Sequence, residues 1–238
     1  MTVAWITGGG SGVGAATALR LAADGWVVAV SGRRAGQLDA VVDRIASAGG
    51  RAVACPLDVT DLAAVDATVA RIEADCGPIT TFVASAGLNT KRRFWPDLDR
   101  RALDDIVRVN LTSVAQCTAA VLPSMLRAGF GQVIVVSSRT ARLPSPGAGL
   151  AYRMSKIGLR ELVLDLNERH HADGIRATHL MPGDIATDFL QQRPEVPDTD
   201  AQATMLTPAD VADAIGFVAS VPRHVRIDEL AISPSNVP

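Results

Sequence analysis

Short apolar runs and longer amphipathic stretches alternate along the chain. The runs "VAWIT" (3–7), "WVVAVS" (26–31), "RAVACPL" (51–57), "ITTFVAS" (79–85), "GQVIVVSS" (131–138), "IRATHLMP" (175–182) and "ELAIS" (229–233) read as strands. Most are apolar nearly throughout, without strict alternation. Strands take that form when helices cover both faces of their sheet. Between them, Ala- and Leu-rich segments near 12–24, 35–48, 61–76, 98–128, 150–172 and 207–220 read as helices. The last opens at "TPAD", with Thr207 as N-cap and Pro208 in the first helical position. This alternation predicts an α/β fold, a single-domain Rossmann-type doubly wound parallel sheet of about seven strands with helices on both faces. No repeat, low-complexity tract or long linker divides residues 1–238. The polar, proline-bearing segment 189–205, "FLQQRPEVPDTDAQATM", reads as a flexible substrate loop between the sixth strand and the last helix.

The first strand runs into "TGGGSGVG", with Gly8, Gly12 and Gly14 spaced T-G-x-x-x-G-x-G. Glycines let the backbone turn sharply and approach a pyrophosphate, which then lies at the N-terminus of the following helix. Ser11 and Val13 lie inside the same turn. No Gly-Lys-Ser/Thr follows, which argues against a nucleotide triphosphatase.

Charge adds little. The net charge is −2, so neither nucleic acid nor an anionic membrane is an expected partner. No apolar run of membrane-spanning length is evident, and "VAWITGGG" reads as strand into loop rather than as a signal peptide. Cys55, Cys76 and Cys117 are scattered and form no metal-binding or disulfide pattern, which fits a reducing, cytoplasmic compartment. His170 and His171 are adjacent, so one helix face cannot present both to a metal.

The chain's one tyrosine lies in "AYRMSK", four residues before Lys156. On a helix, Tyr152 and Lys156 share a face. A neighbouring ammonium favours the phenolate and lowers the phenol's pKa, so that the hydroxyl can exchange a proton near neutral pH. Further motifs follow the glycine loop in register: "LDV" (57–59), "ASAG" (84–87), "VNLTS" (109–113) and "MPGDIATD" (181–188). Together with "TGGGSGVG" and "YRMSK", they make the chain resemble the single-domain short-chain dehydrogenase/reductase family over essentially its whole length.

The resemblance implies an NAD(P)-dependent oxidoreductase that interconverts a carbonyl and an alcohol. Tyr152 would be the general acid/base on the substrate oxygen. Lys156 would lower its pKa and bind the nicotinamide ribose, Ser138 would orient the substrate oxygen, and Asn110 would support a proton relay. Asp58, with Val59 beside it, would meet the adenine. Ala86 and Gly87 would line the cofactor. Pro182 and Gly183 would turn the chain beside the nicotinamide, where Ile185 and Thr187 hold its carboxamide. Ser138 stands one residue further from Tyr152 than is usual in the family, and Ser137 is the alternative. Ala84 and Ser85 replace the usual Asn-Asn. A catalytically silent nucleotide-sensing or scaffold member of the same fold is the competing reading, and it would be expected to have lost Tyr152 or Lys156.

Gly32 stands where an acid would bind the 2′-hydroxyl of NAD, and Arg33 and Arg34 follow. Cations there suit the 2′-phosphate of NADP, with NAD the less favoured cofactor. Relatives pair through the equivalents of helices 98–128 and 150–172, which implies a homodimer or homotetramer. Lys91, Arg92, Arg93, Arg139, Arg142 and Arg153 cluster towards the expected pocket mouth. They read either as contacts for an acidic substrate or as solvated loop charges.

Overall fold

The computed structural model describes residues 2–236. Seven strands form one parallel sheet: β1 (Val3–Thr7), β2 (Val27–Gly32), β3 (Arg51–Pro56), β4 (Ile79–Ala84), β5 (Gly131–Val136), β6 (Ile175–Pro182) and β7 (Glu229–Ile232). Their spatial order is β3-β2-β1-β4-β5-β6-β7. The chain winds outward from β1 to β3, then returns to lay β4 against the free side of β1. That reversal opens a crevice beyond the carboxyl ends of β1 and β4, where open α/β sheets bind their ligands.

Side chains alternate across the sheet, and each set meets its own helices. Trp5, Ala29, Phe82, Val133 and Val135 face α3 (Leu62–Cys76), α5 (Ser113–Ala128) and α6 (Leu150–His170). Ala4, Ile6, Val28, Val30, Val83 and Ile134 face α1 (Gly12–Ala23), α2 (Ala35–Ser47) and α8 (Pro208–Ser220). Trp5 stacks on Phe82 at 4.8 Å between ring centroids, and its indole N–H donates to Ser31 Oγ at 2.9 Å. Helix α8 starts as the sequence indicates. Thr207 and Asp210 form a reciprocal capping box, with Pro208 in the first turn.

The expected single helix 98–128 is broken. Helix α4 (Arg100–Val107) leads into a wide π turn, Arg108–Thr112, before α5 resumes. The Ser113 N–H reaches back to Arg108 O, and the Ser113 hydroxyl donates to Val109 O at 2.7 Å. Residues 100–128 are long and apolar enough by length and composition to cross a membrane, although charged residues from Arg100 to Arg108 and at Arg127 interrupt the apolar run. Their Val114, Cys117, Val121 and Met125 are buried against the sheet. Helix α6 stops at His170, and a short 3-10 turn, His171–Asp173, follows it. The segment 189–205 carries its own structure, a 3-10 turn over Asp188–Gln192 and the short α7 (Thr199–Ala203).

The glycine loop is packed tightly on β4. A Cβ on Gly14 would stand 2.2 Å from Gly8 O, so α1 approaches β1 as closely as it does only with glycine there. Gly14→Ala should lower the unfolding free energy by about 1–3 kcal/mol with an unchanged denaturant slope. An unshifted unfolding midpoint would contradict this packing.

Candidate active site

The glycine loop forms one wall of the crevice. Gly8 has φ +69°, and a Cβ there would strike the Ser85 and Ala86 backbone at 2.8 Å. Gly12 has φ +52° and begins α1, and a Cβ on it would lie 3.4 Å from Thr187 Cγ2. Thr187, from the loop after β6, therefore lies over the start of α1. Ser11 supplies no side-chain cap, so the first amides of α1 remain available to an anion. Arg33 and Arg34 are exposed just past β2, and among the described residues neither lies within salt-bridge distance of a carboxylate. An Arg34 terminal nitrogen lies 3.4 Å from Ser11 Oγ. A loop that needs glycine at positions 8 and 14, an uncapped helix start and two exposed guanidiniums suit a dinucleotide bearing an extra phosphate.

Asp58 lies beyond β3. Its Oδ1 accepts from the Thr60 N–H at 2.9 Å and the Thr60 hydroxyl at 2.8 Å, and these bonds hold its carboxyl below the usual range. Val59 beside it is buried. Beyond β4, Gly87 lies over Asn110, where a Cβ would stand 3.5 Å from Asn110 Oδ1.

Asn110, in the π turn, is fully buried. Its Oδ1 accepts from the Leu88 N–H at 2.8 Å, and its Nδ2 donates to Leu88 O at 2.9 Å. Nδ2 also lies 3.3 Å from Ser155 Oγ on α6. The side chain thus bonds neither within its own helix nor to Lys156. It fixes the loop after β4 against α6, and sequence gave no sign of its partner Leu88.

Strand β5 ends at Val136, so the two serines leave it in different directions. The Ser137 hydroxyl is buried and donates to Lys156 O at 3.2 Å. Ser138 caps the following 3-10 turn, accepting from the Thr140 N–H at 3.2 Å, and its hydroxyl is also hydrogen-bonded to Tyr152. Lys156 is buried. Its Nζ donates to Val136 O at 2.8 Å and sits 5.6 Å from the centroid of the Tyr152 ring. Ser138, Tyr152 and Lys156 therefore converge where β5 meets α6.

Their electrostatics correct one expectation. Burial pushes the Tyr152 phenol up to about 12, against the Ser138 hydrogen bond, Arg193 and Arg93, which all favour the phenolate. Lys156 does not offset the burial, because it is itself desolvated and its pKa is pushed down to about 8. Its ammonium is anchored on a backbone carbonyl beside the ring. The Phe189 ring lies 6.0 Å from the Tyr152 ring, so the segment after β6 forms part of the tyrosine's surroundings.

Backbone bonds tie the loop after β6 to segments later in the chain. Gly183 N donates to Ile232 O at 2.8 Å, and Ala186 N donates to Leu206 O at 2.8 Å. Ile185 bridges to Leu206. Pro182 ends β6.

Of the basic cluster, Lys91, Arg92 and Arg142 are exposed, but Arg93 is only 4% exposed, so the solvated-charge reading fails for it. Its Nε donates to Thr90 O at 2.7 Å, and one terminal nitrogen donates to Gly147 O at 3.2 Å and Ala148 O at 3.5 Å. The other terminal nitrogen donates to Gln192 O. Gly149 has φ +81°, and a Cβ there would meet the Arg93 side chain at 2.6 Å. One guanidinium thus ties together the loops after β4, before α6 and after β6. Arg193 pairs with Asp184 at 2.5 Å in the same region.

Lys156 carries a pH signature. Its folded pKa, about 8, lies below its ordinary 10.5, so between those values the unfolded chain holds more protons. The stability difference between wild type and Lys156→Met should therefore shift in favour of wild type as pH rises from about 8 towards 10.5. A pH-independent difference in denaturant unfolding would contradict a buried, titrating amine.

Known proteins share this architecture. Glycine betaine reductase ATRR of Emericella nidulans is 33% identical over 99% of this chain, but the chain spans only 19% of that protein. Sulfoacetaldehyde reductase of Chromohalobacter salexigens is 31% identical, over 97% of this chain and 93% of its own length. The closed form of a serine dehydrogenase complexed with NADP+ superposes with a TM-score of 0.91 at 27% identity, covering 100% of this chain and 96% of that one. The family model described as short chain dehydrogenase matches residues 2–197, from β1 through the Tyr152 helix into the loop after β6, and the chain therefore belongs to the short chain dehydrogenase family.

Proposed function

We propose that this protein is an NADP-dependent oxidoreductase that interconverts a carbonyl and an alcohol on a small molecule. The observation that carries this reading is the convergence of Tyr152, Ser138 and Lys156 beside a glycine loop that fits a dinucleotide. Arg33 and Arg34, exposed past β2 and neither in a salt bridge among the described residues, and the NADP+ bound by the similar serine dehydrogenase, favour NADP over NAD. Gly8, Ser11, Gly12, Val13 and Gly14 would hold the pyrophosphate, Asp58 and Val59 the adenine end, and Ala86, Gly87, Pro182, Gly183, Ile185 and Thr187 the nicotinamide end. When bound, NADPH supplies the hydride for the carbonyl carbon.

The chain's own residues manage the proton. In reduction the Tyr152 hydroxyl protonates the substrate oxygen as charge builds there, and in oxidation it takes that proton back. Ser138 orients the substrate oxygen and steadies the phenolate that Tyr152 becomes. Lys156, with a pKa of about 8, can pass a proton towards Tyr152 near neutral pH. Asn110 supports that relay by fixing the loop after β4 against α6. A catalytically silent member would have no need to retain this set.

Three coarser features belong to the same reading. Residues 1–238 work as one domain in the cytoplasm. Segment 189–205 acts as a substrate loop, with Phe189 against Tyr152. Met154 and Ile157 lie exposed on α6, which supports a homodimer or homotetramer formed through helices 100–128 and 150–170.

A panel of aldehydes, ketones and alcohols followed by cofactor absorbance, with NADP(H) and NAD(H), tests the reaction. Tyr152→Phe should bind NADPH as wild type does and lose turnover by about 10²–10⁴-fold. An active Tyr152→Phe enzyme would overturn the proton-transfer assignment, and a preference for NADH would overturn the role of the arginines.

A further inference from the structure

Arg93 is a cation buried beside the reacting group with only neutral partners. Its acceptors are the carbonyls of Thr90, Gly147, Ala148 and Gln192, and among the described residues no carboxylate lies within salt-bridge distance. Those acceptors lie on both sides of Tyr152. Ala148 lies just before the tyrosine's helix, and Gln192 just after Phe189, whose ring neighbours the phenol. The field of Arg93 reaches both the Tyr152 hydroxyl and Arg193. Arg193 adds positive charge nearby and is itself paired with the carboxylate of Asp184. A desolvated guanidinium held by peptide dipoles alone is costly, and tying loops together does not itself require a charge. A guanidinium has five N–H donors, and the four carbonyls leave one for a ligand.

We infer that the substrate is a small carbonyl or alcohol compound bearing an anionic group, a carboxylate in the simplest case. Arg93 and Arg193 form the specificity element that faces this group while the reacting oxygen lies at Tyr152. The anion supplies a countercharge to Arg93, and a neutral analogue leaves that guanidinium uncompensated. This inference rests on the oxidoreductase reading above.

The test compares matched pairs with NADPH: succinic semialdehyde against its methyl ester, and levulinic acid against its methyl ester. Wild type should favour the acid by about tenfold or more in kcat/KM. Arg93→Met should lose most of that preference, lowering the rate on the acid far more than on the ester, and Arg93→Lys should retain part of it. Arg193→Gln should weaken the preference in the same direction, which keeps the test open if Arg93→Met does not fold. Equal or better wild-type activity on the esters overturns the inference while leaving the oxidoreductase reading intact. Equal losses on acid and ester in Arg93→Met would reduce Arg93 to a structural tie and overturn it as well. Failure to turn over any aldehyde or ketone in the panel would remove both readings.

Discussion

A parallel sheet covered by helices on both faces leaves its polar chemistry one outlet, the carboxyl ends of its strands. Every group of interest in this chain lies there. β1 delivers the glycine loop, β2 the two arginines, β4 the loop held by Asn110, β5 the serines and β6 the turn that lays Thr187 over α1. The order β3-β2-β1-β4 matters because it brings Gly8 against the backbone of Ser85 and Ala86. Were β4 elsewhere, the glycine loop and the tyrosine helix would not border the same crevice.

Within that crevice the dominant electrostatic fact is desolvation. It raises the phenol, lowers the lysine and lowers Arg93, in each case by disfavouring the charged form. A tyrosine and a lysine on one helix face are therefore not enough to make a ready phenolate. The Ser138 hydrogen bond and the two guanidiniums pull the other way. The proton site and the cationic site are thus one electrostatic unit, and a substrate anion near the arginines would alter the proton chemistry at Tyr152.

The strands were legible because apolar runs buried on both faces carry a strong local signal, and β1 to β7 fall within two residues of the expected runs. Helix α8 was legible from its cap. The break at 108–112 was not, because no Gly or Pro marks it: the stretch reads Arg-Val-Asn-Leu-Thr. The Asn110–Leu88 pairing spans 22 residues and left no periodic trace. Which serine faces Tyr152 depends on where β5 ends, a boundary that sequence places only loosely. Arg93 looked like its exposed neighbours Lys91 and Arg92, because its burial comes from carbonyls 54 to 99 residues away.

The most direct test of this account is a crystal structure of the complex with NADP+. The account predicts the pyrophosphate on the amides of residues 11–14, the extra phosphate on Arg33 or Arg34, and the nicotinamide between Thr187 and Tyr152. A cofactor whose extra phosphate meets neither arginine, or whose nicotinamide lies away from Tyr152, would contradict it.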